Sequence, residues 1–364
     1  MRISVVRPEE LGPGEIASWH AMQHADAALG NPFLSPEFAA AVGRFRPGAR
    51  VAVLTDGPAV TGFFPFERRR LGVGVPIGAG LTDCQGLVHV QGFEWDAREL
   101  LRGCGMSAFH FDHLAQGQRS FGRWVAATAP SPVIDLTDGF AVYRAKLMVK
   151  SPQFCRDVAR RGRKLGREAG PLRHVADSHD VAALHSLMAW KSDQYRRTGR
   201  TDRFARPWIV GLVNDLFETT GSHFSGCLSV LYAGDVTVAG HFGLRSGHLL
   251  AHWFPAYDSR FGKYSPGLIQ HLRMIEETAS AGVSLIDMGK GAKRYKETLK
   301  TSEVFVCEGS VTGRSPLAIA HRAHNASSQW AVRTIRAHPP IFRAADQLLK
   351  RYGQLRTSVS SRAV

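Results

Sequence analysis

Short apolar runs alternate with amphipathic segments along residues 1–143, and this alternation predicts a mixed α/β fold. Apolar runs bounded by turn residues predict strands, and apolar residues at helical spacing predict helices. One helix is predicted to open at Ser35 and Pro36, with the serine as N-cap. The other predicted elements of this half are the strands Ile3–Val6, Val51–Leu54, Val60–Phe66, Ala108–His113 and Val133–Leu136 and the helices Glu9–Ala28 and Asp96–Leu101.

Residues 138–170 are predicted to be helical, with a break at Ser151 and Pro152 where a second helix can start. Gly170 and Pro171 stop that second helix. We therefore place a junction here and predict two α/β domains and two flanking segments. These are an N-terminal domain of 1–143, a basic helical linker of 144–170, a C-terminal domain of 171–313 and a basic helical tail of 314–364.

The second half begins with a predicted strand and helix and then carries the clearest pattern in the chain, three extended runs separated by glycine-containing turns. A right-handed crossover should make the third run and the strand that follows its helix parallel neighbours. Ligands favour the carboxyl ends of such strands, which points to residues 254–267 and 287–296. The predicted elements are the strands Leu172–Val175, Phe224–Tyr232, Val236–Leu244, His248–Phe254, Val283–Met288 and Val304–Val311 and the helices Ser178–Arg197, Ser265–Gly282 and Lys293–Lys300.

The chain of 364 residues is 44% hydrophobic and 21% charged, which is typical of a globular protein and excludes a mostly disordered one. It contains no apolar run long enough to span a bilayer, and its N-terminus does not resemble a secretory signal. The five cysteines are scattered and form no CxxC pair, which favours a reduced protein. We therefore expect a cytoplasmic location.

The net charge of +15 is concentrated in two segments. Residues 151–170 hold six Lys/Arg against two acidic residues, and residues 315–364 hold eight against one. Such clusters favour an anionic partner such as phosphate, RNA or a membrane surface, although a solvated basic face is an equal alternative. The tail could pack on the body as a surface helix or make a peripheral membrane contact.

The segment from Phe254 to Gly267 joins a predicted strand to a helix N-terminus. Free N–H groups there, together with Arg260 and Lys263, could hold a pyrophosphate. An ordinary capped loop, with Ser265 as N-cap, is the alternative.

The segment from Asp287 to Lys296 places a carboxylate at a strand end and Tyr295 and Lys296 on the next helix. A carboxylate, a phenol and an ammonium at one sheet edge could serve proton transfer. A role for Asp287 as a helix cap is the alternative. A metal site is not expected, because the pairs His110/His113 and His321/His324 have no third ligand in a suitable pattern.

Several motifs together resemble GNAT-superfamily acyltransferases of the cellulose-biosynthesis acetyltransferase-like family, relatives of the Fem peptidoglycan aminoacyltransferases. The resemblance covers about residues 150–310 and implies tandem GNAT-like domains with mixed central sheets flanked by helices. Lys263 and Ser265 stand where the usual GNAT pyrophosphate loop has glycine or alanine. The motifs are Ala256-Tyr-Asp, Tyr264-Ser-Pro-Gly, Asp287-Met-Gly-Lys-Gly, Tyr295-Lys, the basic helix Arg156–Arg167 and Trp190-Lys191.

The resemblance implies transfer of an acyl group, expected to be acetyl, from acyl-CoA to an amine or hydroxyl acceptor in polysaccharide or cell-envelope biosynthesis. Two alternatives stay open, an aminoacyl-tRNA donor as in the Fem relatives and a catalytically silent binding module. The expected catalytic residues are Asp287 as base, Tyr295 and Tyr257 as acids and Lys296 beside negative charge; the expected acyl-CoA contacts are Arg260, Lys263, Tyr264, Ser265 and Gly267.

Overall fold

A single mixed sheet of thirteen strands runs through the computed structural model, which describes residues 1–291 and 293–313. Helices pack on the sheet, so the predicted α/β class with a mixed sheet flanked by helices is confirmed. The strands are β1 Arg2–Val6, β2 Ala49–Asp56, β3 Ala59–Arg68, β4 Val73–Pro76, β5 Val88–His89, β6 Ala108–Ala115, β7 Val125–Asp135, β8 Leu172–Val175, β9 Ser225–Ala233, β10 Val236–Ser246, β11 Leu249–Tyr257, β12 Leu285–Asp287 and β13 Ser302–Thr312. The helices are α1 Pro13–Ala25, α2 Pro36–Phe45, α3 Ala97–Gly103, α4 Gly139–Lys150, α5 Pro152–Ala169, α6 Val181–Arg197, α7 Pro207–Phe217, α8 Pro266–Ser280 and α9 Arg294–Leu299.

The two halves of the chain repeat one order of elements. In the first half, β1 is followed by two helices, the antiparallel run β2–β3–β4, the helix α3 and the strand β6. In the second half, β8 is followed by α6 and α7, the meander β9–β10–β11, the helix α8 and the strand β12. The predicted parallel crossover is confirmed, because β11 and β12 pair in parallel from Leu249↔Leu285 to Ala251↔Asp287.

The halves are joined by strands that cross between them. The last strand of the second half, β13, lies between β6 and β7 of the first half and is antiparallel to both. The strand β7 in turn pairs with β12 of the second half. The sheet order is therefore β1-β2-β3-β4-β6-β13-β7-β12-β11-β10-β9-β8, with β5 paired to β3. The seam between the halves lies beside Asp287, at the end of β12.

Three local predictions are wrong. The first helix begins at Pro13 rather than Glu9, and α6 is capped by Asp180, whose carboxylate accepts from the Ala183 N–H, rather than by Ser178. Ser265 precedes α8 but does not cap it, since its side chain accepts no helix N–H. The sequence analysis also missed α7, although its apolar residues from Ile209 to Phe217 follow helical spacing and are buried.

The core is built mostly from aromatic and branched side chains on both faces of the sheet. A large cluster spans the two halves and includes Trp19, Phe38, Leu187, Phe242 and Trp253. No described helix is long and apolar enough to cross a bilayer. The tail that begins at residue 314, for which a basic helix was predicted, lies outside the described residues.

Candidate active site

A cavity of about 520 Å³ opens where two parallel strands separate. β12 ends at Asp287, whereas β11 continues for six residues beyond its last pairing at Ala251. The open edge of β11 is thus left to line a cleft at the carboxyl end of the strands, where sheets of this kind bind ligands. The lining residues are Lys191, Gln194, Tyr195, Thr198, Arg200, Gly240, Pro255, Ala256, Tyr257, Ser265, Gly267, Leu268, His271, Lys293 and Tyr295.

The N-terminus of α8 forms one wall of the cavity. Ser265 adopts a left-handed backbone conformation with φ of 53°, which turns the chain sharply into the helix. Pro266 has no N–H, and among the described residues the Gly267 N–H has no hydrogen-bond partner. Gly267 also keeps the wall open, because a Cβ there would lie 3.2 Å from Cδ1 of Tyr257. A free amide at a helix start favours an anion.

A cation that the sequence analysis did not select contacts this helix start, although it does not itself line the cavity. Arg161 of α5 donates a hydrogen bond to the Ser265 hydroxyl. Arg260 instead points to Asp258, to which its Nη2 donates at 2.6 Å and its Nε at 2.9 Å. The Asp258 carboxylate is buried beneath the exposed guanidinium, and this hydrogen bonding lowers the pKa of Asp258.

Lys263 and Tyr264 both turn towards α5. Lys263 Nζ lies 3.4 Å from the Glu168 carboxylate, and the buried Tyr264 donates its hydroxyl to the same carboxylate. Neither residue lines the cavity, nor does Arg260. Of the five expected acyl-CoA contacts, the structure places Ser265 and Gly267 at the cavity wall.

Lys191 is a buried cation inside the cavity, with only 5% of its surface exposed. Its ammonium donates to the Pro255 carbonyl at 2.8 Å and lies 5.6 Å from the ring centre of Tyr195. Burial, reinforced by nearby cations, lowers the pKa of Lys191 to about 7. Because Pro255 has no N–H, β11 offers no amide at this position, and the Lys191 ammonium is the polar donor there.

Tyr295 and His271 meet edge to face in the cavity, with ring centres 4.8 Å apart. Burial raises the pKa of Tyr295, with a smaller contribution from Asp83, so the phenol keeps its proton at neutral pH. Burial lowers the pKa of His271 to about 4, and the Lys191 ammonium acts in the same direction. His271 is therefore neutral at physiological pH, and Tyr295 keeps its hydroxyl proton.

Asp287 lies buried at the seam between the halves and does not line the cavity. One carboxylate oxygen accepts from the Ser131 hydroxyl at 2.8 Å and from the Gly289 N–H at 2.9 Å. The other accepts from the Asn31 amide at 3.3 Å. Burial raises the pKa of Asp287 despite these hydrogen bonds.

Lys296 is buried beside the same seam, on α9. Its ammonium donates to the Gly289 carbonyl at 2.7 Å and to the Lys290 carbonyl at 3.4 Å, so it closes the loop after β12. Burial lowers its pKa to about 8, although the neighbouring Asp83 carboxylate opposes the shift.

Asp83 is a candidate that the sequence analysis missed. It comes from the loop after β4 in the first half, and its carboxylate touches the seam, since a Cβ on Gly289 would lie 2.7 Å from its Oδ2. About 30% of its side chain is exposed. Its negative charge acts to raise the pKa of Tyr195, Tyr295 and Lys296. Burial raises its pKa against the effect of His113. No local pattern marks it, because its neighbours come from the other half.

Residues 153–297 match the family model described as acetyltransferase (GNAT) domain. No curated protein matches the sequence. The C-terminal domain of a lysylphosphatidylglycerol synthetase from Agrobacterium fabrum superposes with a TM-score of 0.51 at 10% identity, over 84% of this chain and 94% of that one. FemX superposes with a TM-score of 0.53 at 9% identity, over 79% of this chain and 94% of that one. Residues 153–297 are thus similar to a GNAT acetyltransferase domain, and the chain shares its overall fold with these two structures.

Proposed function

We propose that the protein transfers an acyl group from acyl-CoA to an amine or hydroxyl acceptor. The observation that carries this proposal is the cavity at the separated edge of β11, with the unpartnered Gly267 N–H at its wall. A thioester laid along this edge would have its phosphates at the start of α8 and its acyl end near Lys191 and Tyr295. The resemblance of residues 150–310 to envelope-building enzymes suggests an acceptor from polysaccharide or cell-envelope synthesis.

The donor's phosphates would contact the amide of Gly267 and the guanidinium of Arg161. A helix N-terminus contributes about 0.3–1 kcal/mol to a nearby anion, and a guanidinium adds a full charge with directed N–H donors. Arg260 and Lys263 contribute less in this proposal, because Asp258 and Glu168 already hold them. In this proposal Arg260 and Lys263 instead stabilise the loop that positions Ser265.

The reaction would proceed by direct attack. The acceptor's lone pair forms a bond to the thioester carbon, the carbon–sulfur bond breaks, and the sulfur leaves as a thiolate. The Lys191 ammonium stabilises the oxyanion that forms at the edge of β11, where Pro255 offers no amide. Tyr295, which keeps its proton, protonates the thiolate, and Tyr257 stands at the cavity mouth as the second candidate acid.

The acceptor's proton goes to the carboxylate pair at the seam. Asp83 is the more open member; because it does not line the cavity, it would take the proton through water. Asp287 would hold the Gly289 loop in place, and its charge would raise the pKa of Asp83. Lys296 would balance the negative charge of the pair.

The proposal is tested by release of free CoA thiol from acetyl-CoA in the presence of panels of amines and sugar hydroxyls. We expect turnover with at least one acceptor class and a loss of about 10²-fold or more in Tyr295→Phe if this phenol is the acid. Phe261, an aromatic residue outside the cavity, offers the matched control Phe261→Tyr. Equal turnover in the wild type and Tyr295→Phe would refute the role of Tyr295.

Assays of turnover and donor binding also test the two alternatives, an aminoacyl-tRNA donor and a silent binding module. Turnover with aminoacyl-tRNA and none with acetyl-CoA would establish a Fem-like donor instead. Absence of binding to either donor would favour a silent binding module and would end the enzymatic proposal.

A further inference from the structure

A second cavity of about 610 Å³ lies on the other side of α8 from the candidate active site. It is a groove between α4, α5 and α8, and its walls are mostly apolar. Gly267, Leu268 and His271 of α8 face the first cavity, whereas Ile269 and Leu272 face the groove. The other apolar wall residues are Phe140, Leu147, Met148, Val158 and Leu172.

Arginines line the rim of this groove. Arg156 and Arg163 line the groove, and Arg160 and Arg167 continue the same exposed stripe along α5 at helical spacing. Arg160 pairs with Asp157, but no acidic side chain within the described ranges pairs with Arg156, Arg163 or Arg167.

Other helices add to this charge. Arg144 of α4 also stands at the groove without an acidic partner in the described part of the chain, whereas Arg273 of α8 is paired with Glu276 at 3.2 Å. The groove thus combines an apolar floor with a cationic rim on which Arg144, Arg156 and Arg163 have no acidic partner within the described residues.

We propose that this groove, which we call the arginine-rimmed groove, binds the acyl chain of an anionic phospholipid in a bilayer. The chain would lie on the apolar walls, and the arginines would contact the phosphate of that lipid and of its neighbours. The stripe extends over about 16 Å of helix, which is longer than one phosphate requires and fits several headgroups. Basic helices are attracted to anionic leaflets by such charge, at about 1 kcal/mol per Lys/Arg near the surface.

Two other occupants fit less well. The segment 314–364 of this chain carries nine Lys/Arg and one Asp, so the arginine rim repels it. RNA would satisfy the stripe but would leave most of the floor uncovered, because RNA-binding surfaces place aromatic side chains against bases and this floor is mostly aliphatic.

Vesicle flotation of the full-length protein tests whether the arginines of the groove bind anionic lipid. The probes are vesicles of phosphatidylcholine alone and of phosphatidylcholine with an equal part of phosphatidylglycerol. We expect binding to the mixed vesicles only, about tenfold weaker in Arg163→Gln/Arg167→Gln. The control Arg69→Gln/Arg119→Gln, which removes two exposed arginines from the first half, should bind as the wild type does.

Labelling of Cys155, whose side chain lines the groove, tests whether an acyl chain covers the apolar floor. Alkylation is followed by mass spectrometry, with Cys307 on β13 as the internal control. We expect the mixed vesicles to slow labelling of Cys155 several-fold and to leave Cys307 unchanged. This readout needs no substitution and no catalytic activity, so it is independent of the proposed acyl transfer.

Three results would overturn the proposal. The first is absence of binding to the mixed vesicles, and the second is binding that the arginine variant leaves intact. The third is unchanged labelling of Cys155 on bound vesicles, which would show that no acyl chain enters the groove. Binding of bulk tRNA that depends on Arg163 and Arg167, without protection of Cys155, would identify a nucleic-acid surface instead.

Discussion

Replacing Lys191 by methionine should stabilise the protein at low pH. The lysine is buried in the candidate active site, where burial and neighbouring cations lower its pKa from 10.5 to about 7. Holding its charged form in the folded state therefore costs about 5 kcal/mol below pH 7. Methionine has a similar length and no charge, but it loses the hydrogen bond to the Pro255 carbonyl, which is worth about 1 kcal/mol. We expect a net gain of about 3–4 kcal/mol at pH 6.

The gain should depend on pH in a defined direction. Between pH 7 and 10.5 the unfolded state binds more protons at Lys191 than the folded state does, so wild-type stability rises with pH in this window. The advantage of Lys191→Met should shrink over the same window and disappear near its upper end. Equilibrium urea unfolding, followed by tryptophan fluorescence at pH 6, 8 and about 9.5, measures the difference.

The control is Lys150→Met, which removes an exposed lysine that also donates to backbone carbonyls. It should show no gain at pH 6. A Lys191→Met variant that is less stable than the wild type at pH 6, or a difference that does not change with pH, would refute the reasoning. A confirmed gain together with lost turnover would show that the charge is retained for function at the expense of stability.

Three further predictions concern the same site. Gly267→Ala should raise the Michaelis constant for acetyl-CoA with little change in turnover, because its Cβ meets the Tyr257 ring at 3.2 Å. The control Gly262→Ala, whose Cβ lies 4.0 Å from the same ring, should leave this constant unchanged. Equal effects of the two substitutions would contradict the placement of the donor. Arg161→Ala should raise that constant about tenfold or more, and an unchanged constant would move the phosphates elsewhere. Asp287→Asn should shift the acid limb of the kcat/KM profile to lower pH, because loss of its charge lowers the pKa of Asp83; an unmoved or upward-shifted limb would reject that coupling.

The local course of the second half could be predicted from the sequence. The glycine-containing turns marked the meander, and Pro266 marked the start of α8, so the parallel pairing of β11 and β12 followed from the strand–helix–strand order. The insertion of β13 between β6 and β7 could not be predicted, because apolar patterning gives the presence of a strand and not its neighbours.

The site was predictable only where its residues are close in sequence. Ser265 and Gly267 follow directly from the helix start, but Arg161, Lys191 and Asp83 arrive from three distant elements. Their role depends on burial and on partners that spacing does not reveal. Arg260 is a different case: the sequence analysis assigned it to the pyrophosphate, although its partner Asp258 stands only two residues away.

Titration calorimetry with acetyl-CoA tests the central claim most directly. The account predicts one binding site per chain with micromolar affinity, weakened in Arg161→Ala and retained in Arg260→Ala, because Asp258 already holds the second arginine. Absence of binding at millimolar acetyl-CoA, or binding that depends on Arg260 and not on Arg161, would contradict it.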